Sequence, residues 1–388
     1  MKSKWQECTI GDLGQIVTGK TPSTKCNEYW GEKVMFITPK DIQTTKHIFK
    51  TERYVTNEGK VAVRGAILPK GSICVSCIGN IGYLGITTEE CITNQQINSI
   101  IVNEKNDIDF VFYLLKNLWK YFKNYEGQST ALSILNKTQF SKIKIQIPNI
   151  EIQKKIANIL KSLDNKIELN NKINNNLFEQ AKALFKNWFI DYEPFSADNT
   201  MPETWRMGTV GEIIELHDSK RIPLSGSERD KMEKIYPYYG ATSLMDYVDN
   251  YLFDGIYLLL GEDGTVVDDK GFPILQYIDG KFWVNNHAHI LTGKLGYSVE
   301  ELYLLFSLTN IKSIVTGAVQ QKVSQANLKK VPAIIPPVEV LNQFDDIIQP
   351  LFAEIRNLRS ENRRLSSIRD SVLPKLMSGD IDVSEVDI

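Results

Sequence analysis

At 388 residues the chain exceeds what one hydrophobic core usually holds, and we expect about two domains. Its apolar fraction of 42% and charged fraction of 24% are typical of a soluble globular protein, and no apolar run reaches the ~18 residues of a membrane span. The net charge of −2 excludes a globally basic nucleic-acid binder, so any DNA contact must use local patches or the charge of a partner.

The cysteines all lie between Cys8 and Cys91, and the N-terminal MKSKWQECTI lacks the apolar segment of a secretory signal. We therefore expect reduced thiols and a cytoplasmic location. Cys74 and Cys77 have the spacing of half a zinc site, but the alternation of a strand places them on opposite faces. We predict no metal ligands on this chain.

Short β-branched runs alternate with glycine-rich turns over residues 1–150, which predicts a mixed α+β domain. Strands are expected at 34–38, 73–78, 84–87, 97–102 and 143–147, with a helix at 109–123. A second domain, residues 197–338, follows the same order, with corresponding segments at 236–242, 256–260, 283–291 and 298–308. The net charge of residues 201–338 is −4, against +6 for residues 1–150.

The two halves of the chain also share motifs. Trp5-x-x-x-Thr9-Ile10-Gly11-Asp12 returns as Trp205-x-x-x-Thr209-Val210-Gly211-Glu212. The Ile-Pro pair that ends each domain opens a long polar segment, 151–196 in the first half and 339–380 in the second, and a tail of residues 381–388 follows. The chain is thus predicted to be an internal repeat with rough two-fold symmetry, which suits a partner with two similar sites, such as duplex DNA.

Apolar residues recur at alternating spacings of four and three in both polar segments, which predicts two long helices with a heptad seam. Two such repeats would place the helices antiparallel, as a spacer between the domains, with Asn170 and Asn362 fixing the register. Two independent surface helices are the alternative. The predicted helix–helix contacts are Ile156, Ile159, Leu163, Ile173, Leu177 and Leu184 in the first segment and Phe344, Ile348, Leu351, Ile355, Leu358 and Leu365 in the second.

Several motifs resemble catalytic or cofactor sites. Residues 14–21 match the phosphate-loop pattern G-x-x-x-x-G-K-[ST], but Pro22 follows directly and no helix is expected there. Asp41, Glu58 and Lys60 have the spacing of a metal-dependent nuclease, without an equivalent in the second repeat. His287 and His289 share one face of a strand and could be ligands, although a satisfied, half-buried pair is favoured. We identify no catalytic set and expect no cofactor on this chain.

Without a catalytic set, the function that the sequence favours is recognition of DNA. Basic and hydroxyl side chains cluster in the loops of both domains. Lysine and arginine suit phosphates or guanine, and glutamine suits adenine. An ordinary solvated loop surface is the alternative for each residue. The candidate DNA contacts are Lys20, Thr21, Lys40, Asp41, Gln43, Thr44 and Lys46 in the first domain and Lys220, Arg221, Arg229, Tyr238, Tyr239 and Thr242 in the second.

The chain resembles the specificity (S) subunit of Type I restriction–modification systems over essentially its full length. The resemblance rests on W5QECTIGDLGQIVTGKTPS, K70GSICVSCIGNIGYLGI, T93NQQIN, the segment from Gly127 to Asn170, V284NNHAHIL, P336PVEVLNQF and S371VLPKLMSGDI. One departure is Ile152-Gln153, where the family usually has Glu-Gln at the start of the first helix.

The resemblance implies that residues 1–150 and 197–338 are target-recognition domains, each reading half of a bipartite target in double-stranded DNA. Because the two domains differ in their loops and in net charge, we expect the target to be asymmetric. It also implies that the two helices dock modification subunits, two of them, which bind S-adenosylmethionine and methylate adenine. Restriction subunits that use ATP and Mg²⁺ complete the complex, and this chain is not itself an enzyme. A helical scaffold without DNA readout and a Mg²⁺-dependent nuclease are the competing functions.

Overall fold

The computed structural model describes residues 5–42, 46–126, 134–317 and 320–386. The chain divides into two compact units. The first unit comprises Met1–Glu168 and Asn362–Ile388, and the second comprises Leu169–Glu361. Both boundaries fall inside long helices, so each unit contains part of both helices.

The described part of the chain forms short strands and helices in both units, in agreement with the predicted mixed α+β class. In chain order the strands are β1 (Gln6–Thr9), β2 (Gly14–Thr18), β3 (Trp30–Gly31), β4 (Val34–Ile37), β5 (His47–Ile48), β6 (Arg53–Val55), β7 (Ile67–Leu68), β8 (Ile73–Ser76), β9 (Leu84–Thr87), β10 (Cys91–Thr93), β11 (Ile97–Val102), β12 (Lys144–Ile147), β13 (Arg206–Thr209), β14 (Ile214–Leu216), β15 (Tyr236–Tyr239), β16 (Leu244–Val248), β17 (Phe253–Gly261), β18 (Leu275–Val284), β19 (Ala288–Gly293) and β20 (Pro332–Ile335). The helices are α1 (Asn57–Ala62), α2 (Ile108–Asn117), α3 (Trp119–Glu126), α4 (Lys137–Ser141), α5 (Ile150–Phe189), α6 (Val210–Ile213), α7 (Gly226–Arg229), α8 (Val299–Leu308), α9 (Gln325–Leu328) and α10 (Val338–Met377).

The sheets of the two units share a strand plan, although β3, β5 and β7 of the first unit have no counterpart in the second. In the first unit, one five-stranded sheet has the order β2-β11-β8-β9-β5 and a second has the order β3-β6-β4-β10-β7. In the second unit a single six-stranded sheet runs β14-β19-β17-β18-β15-β16. The ten-residue β18 pairs with β17 and also, in parallel, with β15. In the first unit two separate strands make the equivalent pairings, β9 with β8 and β10 with β4.

The entry motif shared by the two halves is a helix cap. The Asp12 carboxylate accepts the Thr9 N–H at 2.7 Å, and the Glu212 carboxylate accepts the Thr209 N–H at 2.9 Å. Each cap fixes a short helical turn directly after β1 or β13, the strands that pair with β12 and β20 at the end of each domain. The repeated motif therefore joins the start of each domain to its exit.

The predicted helix at 109–123 is divided in the structure. Helix α2 ends at Asn117 and α3 begins at Trp119, on either side of Leu118. The Asp107 side chain caps α2 by accepting the Phe110 N–H, and Ser298 caps α8 through the Glu301 N–H. Both helices place buried aromatic and aliphatic side chains against the sheets of their own unit.

Helices α5 and α10 are 40 residues long, and in each unit their segments pack antiparallel. In the first unit, Ile156 and Leu160 share a core with Leu373 and Leu376. In the second unit, Phe185 and Phe189 contact Phe344, whereas the Asn170 amide donates to Glu361 at 2.7 Å. The alternative of two independent surface helices is wrong. No helix among the described residues is long and apolar enough to cross a membrane.

Most of the predicted helix–helix contacts lie in the buried stripe of each helix. Ile156, Phe344, Ile348, Ile355 and Leu358 are buried, and the partly buried residues are Ile159, Leu163, Leu177, Leu184, Leu351 and Leu365. Ile173 is a correction, because it is 37% exposed while the neighbouring Asn170 and Asn174 are buried. A straight helix has 3.6 residues per turn, so a strict heptad pattern drifts off the contact face with length.

Candidate nucleic-acid interface

Three loops meet at one end of the sheets in the first unit. The Gly19 N–H donates to the Ile97 carbonyl and the Asn94 N–H donates to the Ile37 carbonyl, both at 3.0 Å. The Thr21 hydroxyl donates to the Gln95 side chain at 2.6 Å. The ends of β2, β4 and β10 are therefore brought together, and we call the resulting surface (residues 19–21, 38–41 and 94–96) the first loop cluster.

The segment with the phosphate-loop pattern, residues 14–21, ends in this cluster and does not form a phosphate-binding loop. Residues 14–18 form strand β2, and an added Cβ on Gly14 would lie 2.1 Å from the Ile101 carbonyl oxygen. A Cβ on Gly19 would lie 2.1 Å from the Asn94 carbonyl oxygen. Both glycines thus allow close approach of neighbouring backbone, and Lys20 follows in an extended loop rather than at the start of a helix.

The basic candidates of the first unit divide into exposed and internal residues. Lys20 and Lys40 are exposed in the first loop cluster. Lys46 is a correction: its ammonium lies 2.7 Å from the Asp109 carboxylate, donates to the Tyr113 hydroxyl, and its side chain is only 12% exposed. Lys46 therefore holds α2 in place and is not available to a phosphate. Gln43 and Thr44 lie outside the described residues.

The residues with nuclease-like spacing also have local structural roles. One Asp41 oxygen accepts the N–H and the hydroxyl of Thr38, both at 2.7 Å, and the other accepts the Glu52 N–H at 2.9 Å. Lys60 pairs with Glu90 at 2.6 Å. Asp41 therefore stabilises a turn in the first loop cluster, and three of its roughly four acceptor positions are used by Thr38 and Glu52.

The second unit builds an equivalent surface from different residues. The Asn285 N–H donates to the Tyr239 carbonyl at 3.0 Å, as Asn94 does to Ile37, and the Arg221 guanidinium donates to the Ala288 carbonyl at 2.8 Å. This second loop cluster comprises residues 220–221, 240–243 and 285–287. Lys220 and Thr242 are exposed on it.

Three further candidates in the second unit are engaged internally. Arg221 pairs with Glu262 at 2.7 Å, and Arg229 pairs with Asp246 at 3.1 Å while it donates to the Leu224 carbonyl. Tyr238 is 1% exposed, and its hydroxyl accepts the Leu224 N–H. The prediction of Tyr238 as a surface contact is wrong, whereas Arg221 and Arg229 are partly exposed and their DNA contacts stay predictions. Tyr239 is partly buried, with its ring 6.0 Å from that of Phe282.

A buried polar network lies beneath the second loop cluster. His289 contacts the Asp218 carboxylate at 2.6 Å through Nδ1 and donates to the Val323 carbonyl through Nε2 at 2.8 Å. Burial alone would raise the pKa of Asp218, but hydrogen bonds from His289 and the Ile290 N–H, together with the charge of Arg221, lower it. Asp218 is therefore held as a carboxylate.

Among the residues that the structure describes, three side chains of this network are close enough together to hold a metal ion. One ligand atom each from Asp218, Glu262 and His289 lies within 4.8 Å of the others. Arg221, however, already supplies the positive charge, and both nitrogens of His289 have partners. His287 is half exposed and bonds Asp263 at 2.5 Å. The favoured interpretation of the two histidines as satisfied side chains agrees with this geometry.

One exposed arginine, Arg53, was not among the DNA contacts that the sequence predicted. The Arg53 guanidinium lies 3.7 Å from the centre of the Trp30 ring, on strand β6 beside the first loop cluster. Arg53 is exposed, and Glu32, Glu52 and Tyr54 line the same cleft of about 710 Å³. The sequence carries no sign of this contact, because Trp30 and Arg53 meet only through the pairing of β3 with β6.

Comparison with known proteins places the chain in a family. The family of the Type I restriction modification DNA specificity domain matches residues 2–179 and 202–365. The Type I restriction enzyme MjaIX specificity subunit of Methanocaldococcus jannaschii is 29% identical over 417 residues, covering 98% of this chain and 94% of the relative. The HindI specificity subunit of Haemophilus influenzae is 39% identical over 171 residues, covering 42% and 37%.

A solved structure shows the same fold. The S subunit of the Type I restriction–modification system from M. genitalium aligns with a TM-score of 0.52 at 17% identity, covering 96% of each chain. Because the family match covers both loop clusters and the larger part of each long helix, this protein belongs to the family of Type I restriction–modification DNA specificity subunits.

Proposed function

We propose that this chain reads a bipartite, asymmetric target in double-stranded DNA, with one half-site bound by each loop cluster. The observation that carries the proposal is the repeated frame: Asn94 and Asn285 make the same backbone contact, yet the loops around them present different side chains. A shared frame with different surface loops suits two half-sites that differ in sequence.

The chain acts in this proposal as a non-catalytic subunit. Two modification subunits dock on the helical segments and bring S-adenosylmethionine, and restriction subunits bring ATP and Mg²⁺. The relatives are named as specificity subunits of restriction enzymes, which supports assembly with such partners. Asp41 and Lys60 are committed to local contacts, so the nuclease alternative has no support in the geometry. We place the complex in the cytoplasm.

The charge distribution predicts unequal contributions from the two clusters. In the first, Lys20 and Lys40 are exposed, and no ion pair to either is found among the described residues. In the second, Arg221 neutralises Glu262, which leaves Lys220 as the exposed cation of its loop. We expect phosphate contacts to be stronger in the half-site bound by the first unit.

The test is selection from a library of randomised duplexes by the full chain assembled with its modification subunits. We expect two short conserved blocks separated by unselected bases.

The double variant Lys20→Ala, Lys40→Ala should weaken binding of all sequences and lower the slope of log affinity against log salt by about 1–2. The matched control is Lys70→Ala, Lys105→Ala, two exposed lysines at the opposite end of β8 and β11, which should leave the slope unchanged.

Assembly without sequence selection would show that the chain is a helical scaffold without DNA readout. Equal effects of the two double variants would show that DNA does not contact the first loop cluster. Each of these results would reject a different part of the proposal.

A further inference from the structure

The stack of Arg53 on Trp30 is a rigid arrangement at the surface. Trp30 is fixed by its indole N–H, which donates to the Ser23 carbonyl at 3.2 Å, and by an edge contact with Phe36, ring centres 5.1 Å apart. The guanidinium lies over the indole at 3.7 Å from the ring centre. Cation–π contact of this kind orients the guanidinium plane before any ligand arrives.

The register of the strands places this stack beside the first loop cluster. Arg53 is opposite Phe36 near the end of β4, two residues before the loop that contains Lys40. The preceding Glu52 N–H donates to Asp41 within the cluster. No carboxylate within 4.0 Å pairs with Arg53 among the residues that the structure describes. Its hydrogen-bond donors are therefore available to a molecule bound at this surface.

The charges around the stack decide between two DNA contacts. Exposed Glu32 and Glu52 line the same cleft as Arg53, so a phosphate there would face two carboxylates. A base pair would not suffer this repulsion. Guanine presents O6 and N7 as two acceptors for one guanidinium, and the amino group of its paired cytosine donates to carboxylates. An arginine that shares a cleft with two exposed glutamates thus matches a G·C pair better than the DNA backbone.

We infer that Arg53, held by Trp30, reads one guanine through the major groove in the half-site bound by the first unit. This inference rests on the proposed function, because it requires that the first loop cluster faces DNA. It assigns a specificity-determining residue outside the loops that the sequence indicated.

The experiment repeats the library selection with the full chain and its modification subunits, for the wild type, Arg53→Gln and Arg53→Lys. We expect the wild type to select guanine at one position of the first half-site. Both variants should lose that preference, bind the wild-type target about tenfold or more weakly, and bind a target changed at that one base about as well as the wild type does. Selection in the second half-site should be unchanged, which also reports that the variants are folded.

The lysine variant keeps the positive charge and the methylene groups that pack on Trp30, but it loses the paired N–H donors of the guanidinium. If Arg53→Lys retained the full preference, bidentate reading of guanine would be rejected. A uniform loss over all sequences with a lower salt slope would instead reveal a phosphate contact and overturn the inference. Unchanged binding of Arg53→Gln would overturn it as well.

The matched control is Arg229→Gln, because Arg229 also lies over an aromatic ring, 4.9 Å from Tyr238, but is satisfied by Asp246. It should leave selection in the first half-site unchanged. If the wild type itself selected no sequence, the proposed function would fail, and the inference with it. Selection by the wild type with no effect of the Arg53 variants would reject the inference alone.

Discussion

The same framework position is an asparagine in the first unit and, in the second, a histidine that contacts a buried carboxylate. Asn98 is the second residue of β11, and its amide donates to the Leu135 carbonyl while it accepts the Thr18 hydroxyl. His289 is the second residue of β19, donates to the Val323 carbonyl and contacts Asp218. Both residues anchor the segment that precedes a short capped helix, α4 or α9.

The difference teaches how one frame can support two surfaces. In the second unit the loop arginine Arg221 forms ion pairs with Asp218 and Glu262, so its charge stabilises the fold. In the first unit the Thr18–Asn98 pair needs no counter-charge, and Lys20 remains exposed. The buried partner therefore influences which cations are left for DNA.

The largest expected effect comes from removing the charged partner. Asp218→Ala should lower the free energy of unfolding by about 3–5 kcal/mol, because His289, Gln325 and Arg221 would lose a common buried acceptor. Thr18→Val removes one neutral hydrogen bond and should cost about 1 kcal/mol. Calorimetric unfolding of the full chain measures both. Equal losses would show that the two networks do not differ in the proposed way.

The sequence predictions were correct where they rested on local patterns and failed where they depended on contacts between residues distant in the sequence. The long helices and the strand at residues 97–102 were predictable because periodicity is local. Whether a lysine or arginine of a loop is free or paired was not predictable, because its partner is distant in the sequence. Lys46 pairs with Asp109, and Arg221 pairs with Glu262. Arg53 was missed for the same reason. Residue type alone does not distinguish an exposed lysine from one that is buried in an ion pair.

A second comparison concerns the arginines that join α10 to each unit. Arg356 pairs with Glu300 at 2.8 Å, and Arg369 pairs with Asp164 at 2.7 Å. Glu300 is only 4% exposed, against 16% for Asp164. We therefore expect Arg356→Met to cost about 3 kcal/mol of unfolding free energy and Arg369→Met about 1–2 kcal/mol. A larger loss for Arg369→Met in chemical denaturation would contradict this order.

A third comparison concerns pH, through Glu301 in the second unit. Burial, helped by Asp345 and Glu300, raises the pKa of this carboxyl to about 8. The unfolded chain releases the proton near pH 4.3 and the folded chain only near 8, so stability should fall between these values by at most about 1.4 kcal/mol per pH unit. Glu301→Gln should flatten this decline in the thermal midpoint between pH 5.5 and 8.

The neighbouring Glu300 provides the control for that measurement. Its carboxylate is paired with Arg356, so Glu300→Gln should destabilise the chain at both pH values instead of flattening the profile. If Glu301→Gln had the same pH dependence as the wild type, the buried carboxyl would not be the cause of the decline.

The smallest expected effect tests the corrected helix seam. Ile173 is 37% exposed, so Ile173→Ala should change the free energy of unfolding by no more than about 0.5 kcal/mol. Phe185→Ala on the same helix should cost about 3–5 kcal/mol, because Phe185 is 3% exposed and packs against Phe344. A loss near 2 kcal/mol for Ile173→Ala would restore the heptad seam, since only a buried isoleucine can be that costly to truncate. A negligible loss would leave Asn170 and Asn174 as the polar centre of the contact face.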